Sequence, residues 1–264
     1  MEIDKMKARF SAYKDYYQQL HNDQTEIDDY YELVFDAGVP DNYSTRMPST
    51  ARDWIDVGVR HFTLDNPKSK VFLRNDSQSA REQVSILETF YNFWLRKDII
   101  RIKDAAKKLV LRGETFLKIN MDDTYFGKDV EERLFYFPLF LTVPDPINVY
   151  CSPAHNGLIP ADVIESFNIS AAEAENMCER NGWKWKTNKA PNKDVEWFSY
   201  YSSEERYFSL DDEPVLTPEV QPNLFKFCPY VHIGSGAGQS NYEGNQSIFT
   251  GLLFGVRGIC SRWK

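Results

Sequence analysis

Residues 98–121 read DIIRIKDAAKKLVLRGETFLKINM, and the spacing of their apolar residues changes at Gly113. Before this glycine, apolar residues recur every three or four positions, which predicts a helix over 98–112 that ends at a glycine C-cap. After it, apolar and polar residues alternate, which predicts a strand over 115–121. The chain therefore changes from helix to strand at this point. The predicted buried face of the helix consists of Ile99, Ile102, Ala106 and Leu109.

Three further helical segments are predicted upstream. The first covers 3–33 and carries an aromatic stripe, and the second covers 49–64 and ends at Asn66-Pro67. The third opens at Ser79, which forms a predicted capping box with Glu82. The residues aligned on one face are Phe10, Tyr13 and Tyr17 in the first segment, Trp54, Val57 and His61 in the second, and Val84, Leu87, Tyr91 and Trp94 in the third.

The chain downstream of Gly113 is predicted to be rich in strands. A return strand stops at Pro144-Asp145-Pro146, and further strands are expected over 195–201, 206–210 and 224–233. Ser170 and Glu173 form a second capping box, which opens a helix that closes at Asn181-Gly182. Because helices precede strands and do not alternate with them, the sequence predicts an α+β fold.

The predicted organisation has three parts. Residues 1–113 form a helical part with an acidic, aromatic N-terminal arm, and residues 114–245 form a β-rich part with an inserted helix over 170–181. Residues 246–264 begin a further helix with three glycines on one face, whose high cost in a helix implies a closely packed partner. Its apolar run is too short to span a bilayer. The glycines are Gly251, Gly255 and Gly258.

The 264 residues carry a net charge of -8, but basic residues outnumber acidic ones by eight to three over 96–118. The overall charge disfavours stable coating of nucleic acid, so contact with double-stranded DNA is expected to be local or transient. We predict that the basic helix face meets DNA phosphate or the acidic N-terminal arm of a neighbouring subunit. A merely solvated helix face is the alternative. This basic face consists of Lys97, Arg101, Lys108 and Arg112.

We predict no catalytic, cofactor-binding or metal-binding residues. The four cysteines, which are Cys151, Cys178, Cys228 and Cys260, are widely spaced, as is typical of buried thiols in a reducing compartment. No histidine lies in a nucleophile motif, and we interpret His232 as a structural histidine within a strand. The glycine-rich stretch 234–240 lacks the lysine of a phosphate-binding loop. The carboxylates at 28–29, 122–123 and 211–213 match solvated turns better than metal sites.

Seven segments, taken in order, resemble the portal protein family of tailed bacteriophages. The likeness depends on their order and spacing, because each segment alone is weakly specific. It covers residues 10–259 and is similar to the wing region that precedes the family's stem and clip. The segments are YKDYY (13–17), the stretch around Trp54, GETFLKI (113–119), PDPINVY (144–150), WFSYY (197–201), CPYVHI (228–233) and GNQSI (244–248).

The resemblance implies a structural protein and not an enzyme. Family members form a ring, a dodecamer, at one capsid vertex, through which DNA is packaged and ejected and to which the tail attaches. The implied partners are copies of the chain, the terminase large subunit, the major capsid protein and a head-completion or tail adaptor, with no membrane. The implied location is the virion, and the host cytoplasm during assembly. We expect the aromatic helix faces to be covered by neighbouring copies or by the missing second half of the protein.

Family portals continue into a long tunnel-facing helix, a clip and a crown, and this chain has no counterpart for these parts. We therefore expect a truncated product or one part of a divided gene. Two other function classes stay open. One is a different virion or adaptor module that binds a single partner, and the other is a metal-dependent nuclease that uses the paired carboxylates.

Overall fold

The structure is a computed structural model, and it describes residues 3–32, 34, 50–63, 70–72, 77–121, 129, 138–152 and 158–235. Within these ranges the chain forms five α-helices and nine strands in two antiparallel sheets. Four of the helices precede the first strand, so the predicted α+β fold is confirmed. None of the described helices has the length and apolar character needed to cross a membrane.

The elements follow the predicted change from helix to strand. The helices are α1 (Ile3–Glu32), α2 (Thr50–Thr63), α3 (Gln78–Lys97), α4 (Ile99–Arg112) and α5 (Ala171–Asn181). The strands are β1 (Glu114–Met121), β2 (Leu139–Thr142), β3 (Val149–Cys151), β4 (Asp162–Ser170), β5 (Asp194–Ser202), β6 (Glu205–Leu210), β7 (Glu213–Pro214), β8 (Val220–Pro222) and β9 (Tyr230–Gly234). A short 3-10 helix, Pro146–Asn148, precedes β3.

The two sheets differ in size. The smaller sheet has the strand order β2-β1-β9, and the larger sheet has the order β3-β4-β5-β6-β7 with β8 also paired to β6. The chain thus leaves the smaller sheet after β2, builds the larger sheet and returns as β9. The pairing of β1 with β9 places Phe116 opposite His232. This pairing joins strands that lie at the two ends of the β-rich part of the sequence.

Helix α1 packs against both sheets and against two other helices. Its first half contributes Met6, Tyr17 and Leu20 to a hydrophobic core formed with residues of both sheets. Its last turns contribute to a second core, which α2 and α4 complete. Phe10 and Tyr13 are partly buried against the first core. The expectation that neighbouring copies cover this aromatic stripe is therefore wrong for α1, because the chain's own sheets cover it.

A buried polar network joins α1 to both sheets. Gln24 Nε2 donates to Glu114 Oε1 at 2.7 Å, and His232 Nε2 lies 2.7 Å from Glu114 Oε2. The other ring nitrogen of His232 lies 3.6 Å from the Sγ atom of Cys151, which lies 3.2 Å from the Tyr17 hydroxyl oxygen. The side chains of Glu114 and His232 are each 1% exposed. The interpretation of His232 as a structural histidine with its polar atoms satisfied is confirmed.

The junction between α4 and β1 forms as predicted. Gly113 adopts the left-handed conformation with a φ of 85°, and its N–H donates to the carbonyl of Leu109. The buried face of α4 differs from the prediction, because α4 contacts α1, α2 and β1 and these partners enclose a different side. The buried residues are Ala105, Val110 and Leu111, whereas Ile99, Ile102, Ala106 and Leu109 are half-buried.

The local signals for α5 are confirmed, whereas the strand predictions are partly wrong. Ser170 Oγ accepts a hydrogen bond from the Glu173 N–H, and Gly182 forms a left-handed C-cap. The strand predicted over 224–233 begins only at Tyr230, because Lys226 has a φ of 60° in a turn. Strand β4 was not predicted. Its first four residues are all buried, so the alternation that reveals a half-buried strand is missing.

The apolar faces predicted on α2 and α3 are largely exposed. In α2 the buried residue is Ile55, which lies on the other side of the helix. Helix α3 begins at Gln78, so Ser79 lies inside its first turn and not at the predicted cap. The expectation that neighbouring copies cover these two faces stays a prediction. The exposed members are Trp54, Val57, His61, Leu87 and Tyr91.

Replacement of Glu114 tests the buried network. Glu114→Ala leaves Gln24 and His232 without the carboxylate that joins them, so we expect the free energy of unfolding to fall by about 3 kcal/mol. Glu219→Ala, at an exposed position, is expected to change it by less than about 0.5 kcal/mol. Urea unfolding followed by tryptophan fluorescence measures both. Equal stability of Glu114→Ala and the wild type would contradict the network.

Candidate functional site

The basic face predicted from the sequence is not a uniform surface, because acidic side chains enclose Arg112. Its Nε and Nη2 atoms donate to the two carboxylate oxygens of Asp28 at 3.0 and 2.5 Å, and Nη1 binds Asp145. The Arg112 side chain is 12% exposed. Burial acts to lower the pKa of Arg112, but the bonds to Asp28 and Asp145 outweigh burial and raise it. Arg112 therefore links α4 to the acidic arm of its own chain.

The other members of the basic face differ in how they are held. Lys108 Nζ donates to the Val143 carbonyl at 2.8 Å and lies 3.3 Å from a carboxylate oxygen of Asp104, one helical turn away. Arg101 Nη1 donates to the buried carboxylate of Asp98 at 2.7 Å. Lys97 is exposed at the end of α3. The predicted contact of these residues with DNA or with a neighbouring subunit stays a prediction, and Lys97 and Arg101 are the more accessible members.

A cleft of about 270 Å³ lies between α1 and α4, beside Arg112. Acidic and basic side chains both line it. The Nζ atom of Lys107 lies 4.3 Å from the centre of the Tyr31 ring, so this cation rests on an aromatic face. Each of Lys107, Lys108 and Arg112 thus faces a group of the same chain. The lining gives no concentration of positive charge that would select a phosphate.

Two predicted features lie wholly or mostly outside the described residues. The glycines that are predicted to pack closely against another surface lie outside the described residues, as does Cys260. These glycines are Gly251, Gly255 and Gly258. Of the glycine-rich stretch 234–240, only the first two residues are described. The backbone N–H of the second, Ser235, donates to the carbonyl of Gly113 at 2.7 Å and extends the contact between β9 and β1.

The carboxylate pair at 211–212 is engaged by lysines. Asp211 lies 2.5 Å from Lys189 Nζ, and Asp212 lies 2.6 Å from Lys7 Nζ. Burial acts to raise the pKa of Asp211, but the hydrogen bond and charge of Lys189 together with the hydrogen bond from the Glu196 N–H outweigh burial and lower it. The pair at 122–123 is outside the described residues. Among those that are described, no cluster of three or more His, Cys, Asp or Glu side chains could hold a metal ion.

Cys151, His232 and Glu114 stand in the order of a nucleophile, a base and an orienting acid. They come from β3, β9 and β1, so no local motif could have revealed them. Cys151 is 0% exposed, and burial raises its pKa to about 12. A thiol with that pKa is protonated near neutral pH, and no substrate reaches it. The arrangement therefore favours a structural role. Cys178 and Cys228 are also buried and free, as predicted.

His21 lies beside the same network, and its buried Nε2 has no hydrogen-bond partner among the described residues. Its ring stacks on Tyr17 with ring centres 5.7 Å apart and meets Tyr150 edge-on at 5.1 Å. Burial lowers the pKa of His21, and the charge of Arg112 adds to this effect, while Glu114 and Asp145 act in the opposite direction. The imidazole is therefore neutral at physiological pH, as its aromatic surroundings require.

Sequence comparisons with known proteins gave no match. No protein-family model matches the sequence, and no curated protein is significantly similar to it.

Removal of Arg112 separates a structural from a surface role for the basic face. Arg112→Met leaves Asp28 and Asp145 without their shared cation, so we expect a loss of about 2 kcal/mol in the free energy of unfolding. Lys97→Met, at the exposed end of α3, is expected to change it by less than about 0.5 kcal/mol. Chemical denaturation compares the two variants. Equal losses would show that Arg112 is not engaged within the chain.

The lowered pKa of His21 predicts that the protein loses stability in acid. Since the pKa in the folded state lies below the unfolded value of about 6.5, the unfolded chain takes up a proton first as the pH falls. The contribution of His21 to the free energy of unfolding is complete when the pH is above the unfolded-state pKa, and it declines as the pH falls below that value. We expect a smaller drop in unfolding free energy between about pH 7.5 and pH 5 for His21→Phe than for the wild type. An unchanged slope for His21→Phe would contradict the assignment.

Proposed function

We propose that this chain is a structural subunit of a tailed-phage portal and corresponds to the wing part that precedes the stem. In this role, copies form a ring at one capsid vertex, and double-stranded DNA passes through the ring without being held tightly. The terminase large subunit, the major capsid protein and a head-completion or tail adaptor are the partners that the resemblance implies.

One observation supports the proposal most strongly: five of the segments that resemble portal proteins contribute to a single hydrophobic core. Their shared core supports the view that they form one structural module. The core residues, one from each segment, are Tyr17, Phe116, Tyr150, Phe198 and Tyr230.

The distribution of charge also supports a wall that DNA can slide along. The net charge is -8, and the most basic stretch of the chain uses Arg112 to bind its own acidic helix. A protein that neutralises many phosphates binds DNA tightly, whereas a conduit requires the opposite. The exposed positive charge near Lys97 and Arg101 is limited to the end of α3 and the start of α4, which suits a brief contact.

The size and shape of the assembly test the portal proposal. We expect the purified chain to form a closed ring with a central channel, with a mass near that of twelve copies of this 30.8 kDa chain, by light scattering and negative-stain electron microscopy. A stable monomer or dimer at tens of micromolar would contradict the proposal and favour a single-partner adaptor. Cleavage of DNA in the presence of Mg²⁺ or Mn²⁺, with a metal-dependent rise in Tm, would favour the nuclease alternative.

A further inference from the structure

Helix α3 carries the largest set of exposed apolar side chains among the described residues. Ile86, Phe93 and Ile100 are 64%, 55% and 78% exposed, the last of them just beyond the junction with α4. Leu87, Phe90 and Tyr91 are exposed as well. At about 100° of rotation per residue, these positions cover roughly half of the helix circumference. We call these six residues the α3 face.

The area of the α3 face is large for a surface that stays in water. The six exposed fractions, applied to side chains of about 200 Å² each, give roughly 650 Å². Exposed apolar patches on monomers rarely exceed roughly 300–600 Å², whereas each partner in a stable protein complex buries about 800 Å². The α3 face alone therefore supplies most of the area that one side of a stable interface needs.

The spacing of the α3 face favours a protein partner. Residues 86, 90, 93, 97 and 100 alternate steps of four and three, which is the spacing by which one helix packs against another. The helix is nearly continuous through the junction, since Asp98 N–H donates to the Trp94 carbonyl and Ile102 N–H donates to the Asp98 carbonyl. Lys97 is the single charged residue in this series, and one such residue restricts the register of a partner helix.

We propose that a second copy of this chain covers the α3 face. The inference rests on the proposed portal function, because a ring requires each copy to present an apolar surface to its neighbour. Charge supports the same occupant. The C-terminal end of the face is flanked by the exposed Arg96, Lys97, Arg101 and Lys103, and the net charge of -8 on a second copy favours its approach to this basic end.

The geometry of a ring adds one requirement. Subunits of a closed ring of more than two copies meet through two different surfaces. The α3 face of one copy therefore contacts a part of the next copy other than its α3 face. A symmetric contact between two α3 faces would close a dimer and stop further growth.

The first experiment disrupts the α3 face at two exposed positions. Tyr91→Glu combined with Phe93→Glu is expected to raise the protomer concentration needed for assembly by roughly thirtyfold or more, since central aromatic residues dominate interfaces. Leu224→Glu, an exposed apolar position outside α3, is the matched control and should assemble as the wild type does. Unchanged far-UV circular dichroism spectra of all three proteins show that folding is intact. Normal ring formation by the α3 variant overturns the inference and leaves the portal proposal standing.

The second experiment identifies the occupant directly. Ile86→p-benzoylphenylalanine is photoactivated in an equal mixture of ¹⁴N- and ¹⁵N-labelled chains, and the cross-linked peptides are identified by mass spectrometry. Mixed-isotope pairs from outside α3 support the inference. Single-isotope pairs only, which mean that the chain's own segments cover the face, overturn it. So does α3-dependent sedimentation with phosphatidylcholine vesicles when no mixed pairs form. Mixed pairs between two α3 faces in a dimer support the second copy as occupant and overturn the portal function.

Discussion

The arrangement of α1 and the sheets depends on the hydrogen bonds that the buried carboxylate of Glu114 makes. Glu114 opens β1 directly after the α4 C-cap, accepts a hydrogen bond from Gln24 of α1 and meets His232 of β9. A buried charge that lacks such partners costs several kcal/mol. The docking of α1 and the pairing of β1 with β9 therefore have to form together. This requirement couples the first thirty residues of the chain to its last described strand.

The aromatic residues of the helical part serve two different purposes. Those of α1 are enclosed by the chain's own sheets, where the hydroxyl of Tyr13 donates to Asp162 and that of Tyr17 contacts Cys151. Tyr91 and Phe93 of α3 are exposed instead. The first group stabilises a single subunit, and the second leaves apolar area available for a partner.

The basic residues divide in a similar way. Arg112 is nearly enclosed and joins α4 to Asp28 and Asp145, whereas Lys97 lies at the exposed end of α3. Residues that the sequence predicts to share one helix face thus have different surroundings in the structure. The same is true of the candidate nucleophile: Cys151 has a base and an acid beside it, yet its burial keeps the thiol protonated. Whether residues of a reactive type can carry out chemistry depends on their access to solvent.

Sequence alone determined the fold class and several helix boundaries, including the helix-to-strand change at Gly113 and both caps of α5. These features depend on residues within a few positions of one another, so periodicity and capping patterns reveal them. It also identified the four residues of the basic face, but not their separate environments. Tertiary structure decided which face each helix buries and that the first residues of β4 are fully buried. It also brought four distant side chains into contact, which are Tyr17, Cys151, His232 and Glu114. These outcomes depend on contacts between residues far apart in the chain, and no local pattern contains that information.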